Sequence, residues 1–453
     1  MPVTRVVVVG GDAAGMTAAS TALRKAPDGA LSVVAFERSH HTSYSACGIP
    51  YWVAGDVSGP DALVARTLSQ HRKNGIDLRL RAEVDGLDLS RREVSVVELD
   101  GGRRYREGFD ELVIATGAVP IRPDLPGVDA PGVYGVQTLD DGAALLGGLA
   151  GSPRRAVVVG AGYIGVEMAE AMVRRGLEVT VVDQAPEPMT TLDPDMGALV
   201  REAMEGMGIR VLLGTAVRGF EAGADGRVSG VATDGGLLPA DVVVLGMGVR
   251  PNSELAAAAG LPVGEHGGVR TDERMRVQGW DGVWAGGDCV LVRHRITGRL
   301  VHVPLGTHAN KHGRVIGVNL AGGSAVFPGV VGTAVTKVCD LEIARTGLRE
   351  ADAREAGFDA VAATISSTTR AAYFPDRSPL TVKLIAERGT GLLLGTQIVG
   401  WEGSAKRVDV CATALWNAMT VDEMINLDLG YAPPFSPVWD PVLVAARSAA
   451  EQV

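Results

Sequence analysis

The sequence predicts an α/β fold made of two similar parallel-sheet units, followed by a C-terminal α+β region. The first observation is a repeat. An apolar strand, a glycine turn, a helix and a second strand that ends in an acidic residue occur at residues 6–37 and again at 156–183. The second observation is that alternating strands and an amphipathic helix replace this pattern after about residue 326. Each repeat is therefore interpreted as a βαβ unit with a right-handed crossover between parallel strands.

The elements of the two repeats can be placed by hydrophobic period and by glycine. In the first unit we expect a strand at Val6–Val9, a helix to about Lys25 and a strand at Leu31–Phe36. In the second unit we expect a strand at Ala156–Val159, a helix to about Arg175 and a strand at Glu178–Val182. These parallel strands are expected to be buried on both faces, because helices cover such sheets.

The sequence pattern of the C-terminal region predicts an antiparallel hairpin and one long helix. Strands near Leu380–Ile385 and at Leu392–Val399 flank a turn at Gly389–Gly391. The helix is expected at about Ser404–Met419. Its buried face is expected to hold Val408, Ala412, Leu415 and Met419.

Length, glycine content and charge set the class of protein. With 453 residues, a soft prior of about 150 residues per domain gives roughly three domains. Glycine, at 60 residues, is about twice as frequent as usual, which indicates many tight turns. A net charge of −10 argues against a nucleic acid or an anionic membrane as partner. No apolar run approaches the ~18 residues of a membrane span, and no leader precedes the first strand, so we expect a cytoplasmic protein.

The four cysteines, Cys47, Cys289, Cys339 and Cys411, are far apart in the sequence. Paired cysteine spacings, which structural disulfides and zinc sites both need, do not occur. We therefore expect no metal. Cys289, Cys339 and Cys411 are predicted to be buried apolar residues. The sequence also contains no G-x-S-x-G motif for a serine nucleophile.

The second glycine turn is a complete G-x-G-x-x-G motif, made by Gly160, Gly162 and Gly165 between strand and helix. Unpaired N–H groups and the helix dipole at such a turn favour a pyrophosphate. Asp183 follows about 20 residues later, where a carboxylate accepts hydrogen bonds from ribose hydroxyls and repels a 2′-phosphate. The sequence therefore predicts a dinucleotide site that prefers NADH, with NADPH as the alternative.

The first glycine turn departs from the pattern. Gly10, Gly11 and Gly15 are present, but Asp12 occupies the position of the second motif glycine. Glu37 stands where the ribose-binding acid is expected. Two dinucleotide sites in one chain suggest electron transfer between two cofactors, most simply NAD and FAD.

Two shorter motifs complete a resemblance to a known family. A strand ends in the small-residue turn Thr116–Gly117, and another ends in the run Gly282–Asp288. With the two glycine turns, these motifs make nearly the whole chain similar to the pyridine nucleotide-disulfide oxidoreductases, flavoproteins with two Rossmann-like dinucleotide-binding domains. The resemblance implies an FAD-binding domain at 1–120 and 248–325, an NAD-binding domain at 121–247 and a dimerisation domain at 326–453.

The resemblance also implies cofactor-binding residues. For FAD these are Gly10, Gly11, Ala14, Gly15, Glu37, Arg38, Ser45, Thr116, Gly117 and Asp288. For NAD they are Gly160, Gly162, Tyr163, Ile164, Gly165, Glu167, Asp183 and Gly248. In the family, residues at the positions of Tyr163 and Glu167 gate and line the nicotinamide pocket.

The segment from Ser43 to Tyr51 contains one cysteine, Cys47, where glutathione-reductase-type members carry two. A single cysteine followed by Gly-x-Pro-Tyr resembles the coenzyme A-disulfide reductase and NADH oxidase/peroxidase branch. A lone thiol can retain half of a disulfide as a mixed disulfide, or it can be oxidised to a sulfenic acid. We expect a positive charge or a helix N-terminus near Cys47 to favour its thiolate.

Other residues discriminate within that branch. Oxidases and peroxidases place a histidine in the first glycine turn, where this chain has Asp12 and Ala13. The Tyr-Ala-Pro-Pro motif that begins at Tyr431 resembles the end motif of the coenzyme A-disulfide reductases, and Tyr373 resembles their second tyrosine. In that arrangement both tyrosines act at the partner subunit's active site, which implies a homodimer.

The residues implied to bind substrate are Ser43, Lys25 and Asn310, with Arg72–Lys73 as a weaker candidate pair. Trp439 stands where relatives commonly carry a lysine that meets coenzyme A phosphates. We therefore expect either coenzyme A disulfide or a different small sulfur compound as substrate.

The sequence as a whole predicts a homodimeric FAD enzyme that uses NADH to reduce a low-molecular-weight disulfide through Cys47. One alternative is an NADH oxidase or peroxidase, and another is an NADH-dependent persulfide or polysulfide reductase. A further alternative is a reductase of a ferredoxin-type electron carrier, which would not depend on Cys47.

Overall fold

The computed structural model describes residues 3–453. The α-helices are α1 (Ala13–Lys25), α2 (Ile49–Ala54), α3 (Leu68–Lys73), α4 (Leu139–Leu149), α5 (Tyr163–Arg174), α6 (Pro194–Gly206), α7 (Glu254–Ala258), α8 (Gly306–Leu320), α9 (Glu350–Glu355), α10 (Val408–Trp416), α11 (Val421–Ile425) and α12 (Pro441–Ala450). Within the described residues, no helix combines the length and apolar character needed to cross a membrane.

The strands of the first half are β1 (Thr4–Val9), β2 (Leu31–Glu37), β3 (Ile76–Leu80), β4 (Ala82–Asp88), β5 (Glu93–Glu98), β6 (Arg104–Gly108), β7 (Glu111–Ile114), β8 (Ala118–Pro120), β9 (Val133–Gly135), β10 (Arg155–Val159), β11 (Glu178–Val182), β12 (Arg210–Leu212) and β13 (Val217–Ala222). Those of the second half are β14 (Val228–Thr233), β15 (Gly236–Pro239), β16 (Val242–Leu245), β17 (Val249–Pro251), β18 (Val269–Arg270), β19 (Val283–Ala285), β20 (Val290–Arg293), β21 (Leu300–Val301), β22 (Ala334–Val338), β23 (Leu341–Gly347), β24 (Ala360–Thr368), β25 (Pro379–Glu387) and β26 (Leu393–Gly400).

The first parallel sheet has the order β19-β7-β1-β2-β3 and draws on two distant parts of the chain. Its central strand is buried on both faces, because helices and the β4-β5-β6 hairpins surround it. Helix α8 lies directly on α1. A Cβ at Gly313 would come within 2.4 Å of the carbonyl oxygen of Ala14, and one at Gly317 within 2.6 Å of that of Ala18. These two glycines, one helical turn apart, permit the close helix contact.

The second parallel sheet repeats the design in the order β12-β11-β10-β16-β9. An antiparallel β13-β14-β15 sheet is inserted before β16. The predicted α/β fold with two repeated units is confirmed, and the strands and helix ends predicted for these two units lie within two residues of the observed bounds. The short antiparallel pair β8–β17 joins the two units where the chain crosses between them. The domain boundaries at 120, 247 and 325 stay predictions.

The C-terminal sheet is antiparallel, in the order β22-β23-β26-β25-β24, and the predicted hairpin at Gly389–Gly391 is confirmed. The helix after it was predicted too long. It begins with a 3-10 turn, and α10 ends at Trp416 because Ala418 adopts a left-handed backbone with φ +51°. The predicted buried face is also partly wrong: Cys411 and Ala414 are buried, whereas Ala412 is half-buried.

Candidate active site

The second glycine turn is held by close backbone contacts. Gly160 has φ +101°, and a Cβ there would lie 2.5 Å from the carbonyl oxygen of Gly246. A Cβ at Gly165 would lie 1.9 Å from the carbonyl oxygen of Gly160. Side chains at these positions would push the strand and helix apart. Gly246 was not among the predicted site residues, since it is distant in sequence and becomes part of the turn only through the β10–β16 pairing.

The open side of this turn fits a dinucleotide. A Cβ at Gly162 would have no atom within 4 Å, so the space above the start of α5 is free for an approaching pyrophosphate. Asp183 accepts a hydrogen bond from the Ala161 N–H at 2.7 Å, which fixes its carboxylate at the end of β11. The cradle therefore matches the NAD site that the motif predicts.

The first glycine turn has the same geometry. Gly10 has φ +111°, and a Cβ at Gly15 would lie 2.0 Å from the carbonyl oxygen of Gly10. Glu37 accepts from the Gly11 N–H at 2.8 Å, as Asp183 does in the second turn. Strand, turn, helix start and acid thus form a second cradle of the same shape, which fits the dinucleotide site that the sequence predicts here.

Asp12 ties this first turn to the segment that carries Cys47. Its Oδ1 accepts from the Tyr44 N–H at 3.2 Å, and the Thr42 hydroxyl donates to the Gly11 carbonyl oxygen at 2.6 Å. The pKa of Asp12 is raised from 3.8 to about 7. Burial is the largest cause, and the nearby Glu37 carboxylate is the next largest. The departure from glycine therefore places a carboxyl that resists ionisation at the start of α1.

This raised pKa predicts a pH-dependent difference between the flavin-free protein and its Asp12→Asn variant. In the unfolded chain Asp12 is ionised above pH about 4, but in the folded protein it is ionised only above pH about 7. Its contribution to the free energy of unfolding therefore falls as the pH rises from about 4 to about 7. The amide of the variant keeps an acceptor for the Tyr44 N–H without the charge. Thermal denaturation is expected to show similar midpoints at pH 4.5 and a higher midpoint for the variant at pH 8. A constant difference across this range would contradict the assignment.

Asn252 closes the turn that contains Thr116 and Gly117. The Thr116 hydroxyl donates to the Asn252 carbonyl oxygen at 2.5 Å, and the Asn252 amide donates to the Thr116 carbonyl oxygen at 3.1 Å. The Asn252 N–H also bonds to the carbonyl oxygen of Gly117 at 2.9 Å. Sequence reasoning missed Asn252 because its partners lie more than 130 residues earlier.

Asp288 lies at the end of β19, on a turn held by α8. The Gly287 N–H donates to His312 Nδ1 at 3.2 Å. Burial lowers the pKa of His312 to about 3, so the ring stays neutral and can accept this bond. Burial also raises the pKa of Asp288 to about 6. His312 thus supports the turn that presents the Asp288 carboxyl.

Cys47 lies in a 3-10 turn, Ala46–Gly48, immediately before α2. Residues Ile49, Trp52 and Val53 of α2 pack into the core of the second unit, although their segment follows the first. The thiol is exposed, as expected for a reactive cysteine. Its position at this junction results from the packing of α2.

The expectation for the Cys47 thiolate is met in part. The cysteine lies directly before the N-terminus of α2, as expected. Partial burial, then the carboxylates of Glu167 and Asp288, nevertheless raise the pKa of the thiol, whereas a positive charge was expected to lower it. Glu167 and Asp288 come from distant motifs, and both carboxylates are near enough to Cys47 to affect the pKa of its thiol.

Two side chains of the C-terminal sheet hold the predicted nicotinamide-pocket residues. The Thr336 hydroxyl donates to Glu167 at 2.6 Å, and Arg345 Nε donates to the Tyr163 hydroxyl at 3.1 Å. Burial raises the pKa of Glu167, and the bond from Thr336 opposes that rise. Thr336 and Arg345 carried no motif and were not predicted.

The three predicted substrate-binding residues do not form one cluster through direct bonds. Ser43 adopts φ +49°, and its hydroxyl lies 2.9 Å from Nε2 of the buried His71. Asn310 accepts from the Thr17 hydroxyl at 3.0 Å on the α1–α8 surface. Lys25 is exposed at the far end of α1, about two helical turns from Thr17.

The predicted tyrosines come together on the C-terminal region. Tyr373 and Tyr431 lie close enough together for the Tyr373 phenol to raise the pKa of Tyr431. Both are exposed, Tyr373 at 75% and Tyr431 at 47%. The same region exposes Phe435, Val438 and Trp439. Because monomeric surfaces rarely expose so many large apolar side chains together, these residues indicate an interaction surface.

The other predicted cofactor-binding residues and the other cysteines differ in their exposure to solvent. Arg38 and Ser45 are exposed, Ala14 is buried in α1, Ile164 is half-buried, and Gly248 has φ +83°. Cys289 and Cys411 are buried, as predicted. The prediction that Cys339 is buried is wrong, because this residue is half-exposed on the β22–β23 turn, with φ +51°.

Comparison with known proteins agrees with this architecture. Residues 4–313 match the family model described as pyridine nucleotide-disulphide oxidoreductase. Residues 333–441 match the model of the dimerisation domain of the same family. The two matches together span most of the chain.

Full-length relatives are similar as well. A Pyrococcus abyssi protein named NAD(P)H sulfur oxidoreductase (CoA-dependent) is 40% identical over 445 residues, covering 98% of this chain and 97% of its own. A Methanocaldococcus jannaschii NADH oxidase is 36% identical, with 99% of both chains covered. The structure of an NAD-dependent persulfide reductase from A. fulgidus superposes with a TM-score of 0.95 at 40% identity, covering 99% of this chain and 83% of that one.

These matches agree with the two glycine-turn cradles, with the position of Cys47 at the junction of the two units, and with the antiparallel C-terminal sheet. Members of the matched family use FAD and NAD(P)H, and they are oxidoreductases. The chain belongs to the pyridine nucleotide-disulphide oxidoreductase family.

Proposed function

We propose that this enzyme uses NADH to reduce a small sulfur compound of the coenzyme A disulfide or persulfide class, with Cys47 as its single redox-active thiol. The observation that carries the proposal is the position of Cys47. It is exposed, lies at the junction of the two dinucleotide-binding units, and is close enough to Glu167 and Asp288 for both carboxylates to affect its pKa. The activities for which the Pyrococcus and A. fulgidus relatives are named support the same class of substrate.

Because the proposed site has a single redox-active thiol, the reaction with a disulfide passes through a mixed disulfide at Cys47. The Cys47 thiolate attacks one sulfur of the disulfide R–S–S–R, forms a Cys47–S–S–R mixed disulfide and releases R–S⁻, which takes up a proton. Bound FAD would supply the two-electron relay from NADH to this site. An electron pair and one proton then cleave the mixed disulfide, which releases the second thiol and restores the Cys47 thiolate. With a disulfide as substrate, each turnover therefore consumes one NADH and yields two thiols; with a persulfide R–S–SH, it yields one thiol and one hydrogen sulfide.

Residues of the second unit would bind and orient NADH. The start of α5 would hold the pyrophosphate, and the Asp183 carboxylate would accept hydrogen bonds from the adenosine ribose. Tyr163 and Glu167 would line the nicotinamide pocket, beside Cys47. In the first unit Glu37, Thr116 and the other predicted FAD residues would hold the flavin cofactor.

The C-terminal region would join two copies of the chain. Its apolar surface, which includes Phe435, Val438 and Trp439, would be covered in a homodimer. Tyr373 and Tyr431 would then reach the Cys47 site of the other protomer, where a phenol can donate a proton to a leaving thiolate. Sedimentation analysis of the flavin-loaded enzyme tests the dimer, and a monomer would contradict it.

The acceptor is tested by turnover. Purified, flavin-loaded enzyme is mixed anaerobically with NADH and either coenzyme A disulfide or coenzyme A persulfide, and NADH oxidation is followed at 340 nm. The proposal expects rapid turnover with one or both, and slow oxidation of NADH in air without them. Rapid turnover only in air would instead favour the NADH oxidase activity named for the Methanocaldococcus relative.

Nucleotide preference gives a separate prediction. In the double variant Asp183→Ala/Gln184→Arg, the ribose-binding carboxylate is lost and an arginine is offered to a 2′-phosphate. We expect kcat/KM for NADH to fall at least about tenfold and that for NADPH to rise. Steady-state rates with both nucleotides measure the change. Unaltered preference would place the adenosine ribose away from the end of β11.

A further inference from the structure

The two residues assigned to the nicotinamide pocket depend on a different part of the fold for their orientation. Tyr163 and Glu167 belong to α5 of the second unit, but their polar atoms are bonded to the C-terminal sheet. Arg345 of β23 donates to the Tyr163 hydroxyl at 3.1 Å, and Thr336 of β22 donates to Glu167 at 2.6 Å. The orientation of both pocket residues is thus set from outside their own unit.

The backbone beneath Arg345 is well fixed. Strand β23 pairs with neighbours on both sides, and Arg345 stands opposite Ala334 on one strand and Gln397 on the other. Its side chain is half-buried, so it cannot swing freely into solvent. A half-buried guanidinium is a charged donor, and hydrogen bonds from such donors are stronger and more directional than neutral ones.

The other contact of the phenol is also fixed to the C-terminal region. The Thr191 hydroxyl lies 3.5 Å from that of Tyr163. The loop that carries Thr191 is anchored on both sides. Arg349 donates to the Thr190 carbonyl oxygen at 2.7 Å, and Asp193 pairs with the buried Lys383 at 3.2 Å.

We propose that Arg345 is a positioning residue for NADH oxidation: it holds the Tyr163 ring in the orientation that receives the nicotinamide. The inference rests on the proposed function, because it takes Tyr163 as part of the nicotinamide pocket. A ring without this anchor would populate several orientations, so the pocket would be less ordered before the nucleotide binds. The step that suffers is flavin reduction by NADH. Reduction of the sulfur substrate at Cys47 should not change.

A double-mutant cycle tests the contact. Arg345→Met removes the donor with little change in length, Tyr163→Phe removes the acceptor and keeps the ring, and the double variant removes both. Two quantities are measured on the flavin-loaded enzyme: the dissociation constant of NAD⁺ by calorimetry, and the rate of flavin reduction by NADH in anaerobic stopped flow. Arg345→Lys tests rescue by a conservative donor. Arg388→Met, at the exposed ion pair with Asp359, serves as the matched control.

Each single variant is expected to weaken NAD⁺ binding and slow flavin reduction by about tenfold, the loss expected for one charged hydrogen bond. The double variant should be no worse than either single variant, Arg345→Lys should recover part of the loss, and the control should match wild type. Additive losses, or an Arg345→Met variant that binds NAD⁺ normally while Tyr163→Phe does not, would overturn the role of Arg345. If both single variants lower only the melting temperature, the assignment of Tyr163 to the nicotinamide pocket fails instead.

Discussion

The Cys47→Ser variant is expected to lose NADH-dependent reduction of the sulfur substrate by about 10³-fold or more, because a serine hydroxyl cannot form the mixed disulfide. NADH should still reduce the bound flavin at close to the normal rate, since Cys47 is not part of either dinucleotide cradle. Steady-state turnover and anaerobic stopped flow, measured on the same preparation, separate the two halves of the reaction.

The matched control for this experiment is Cys339→Ser. Cys339 is the other cysteine with an accessible side chain in the described part of the chain, and it lies on the β22–β23 turn beside Glu170. Its replacement should leave turnover unchanged. If Cys47→Ser retains turnover, the disulfide mechanism is wrong, and electron transfer to a carrier protein becomes the better account. If both variants lose turnover, the reaction uses more than one thiol.

The second large effect is expected from Gly162→Ala. The added methyl group would meet no protein atom within 4 Å, so the fold and the flavin content should be retained. The same methyl group occupies the space through which the pyrophosphate approaches the start of α5. We expect KM for NADH to rise by at least about tenfold, with the response to the sulfur substrate unaltered.

Gly101→Ala is the control for Gly162→Ala. A Cβ at Gly101 also meets no atom within 4 Å, and this glycine does not have a positive φ. It lies on the exposed β5–β6 turn, outside both cradles, and should behave as wild type. A normal KM in Gly162→Ala would mean that NADH does not bind at the second glycine turn.

The two cradles could be predicted from the sequence because local rules determine them. Gly10 and Gly160 need positive φ, and Gly15 and Gly165 pack where any Cβ would strike a carbonyl oxygen. Such requirements leave a fixed spacing of glycines in the chain. Buried parallel strands on either side supply the second, equally local signal.

The residues that complete the site could not be predicted in this way. Asn252, Thr336 and Arg345 act on partners more than 130 residues away, and no motif marks them. The pKa of Cys47 likewise depends on the carboxylates of Glu167 and Asp288, and the packing of α2 on the second unit sets where the thiol lies. Such contacts follow from tertiary packing, so sequence spacing does not reveal them.

The mixed disulfide at Cys47 tests the central claim most directly. Enzyme reduced with one equivalent of NADH is mixed anaerobically with coenzyme A disulfide, quenched in acid within milliseconds to seconds, and digested without reductant for mass spectrometry. We predict one coenzyme A moiety on the peptide that contains Cys47, with none on Cys339, and its loss when more NADH is supplied. Turnover of the disulfide with no adduct on Cys47 at any quench time would contradict this account.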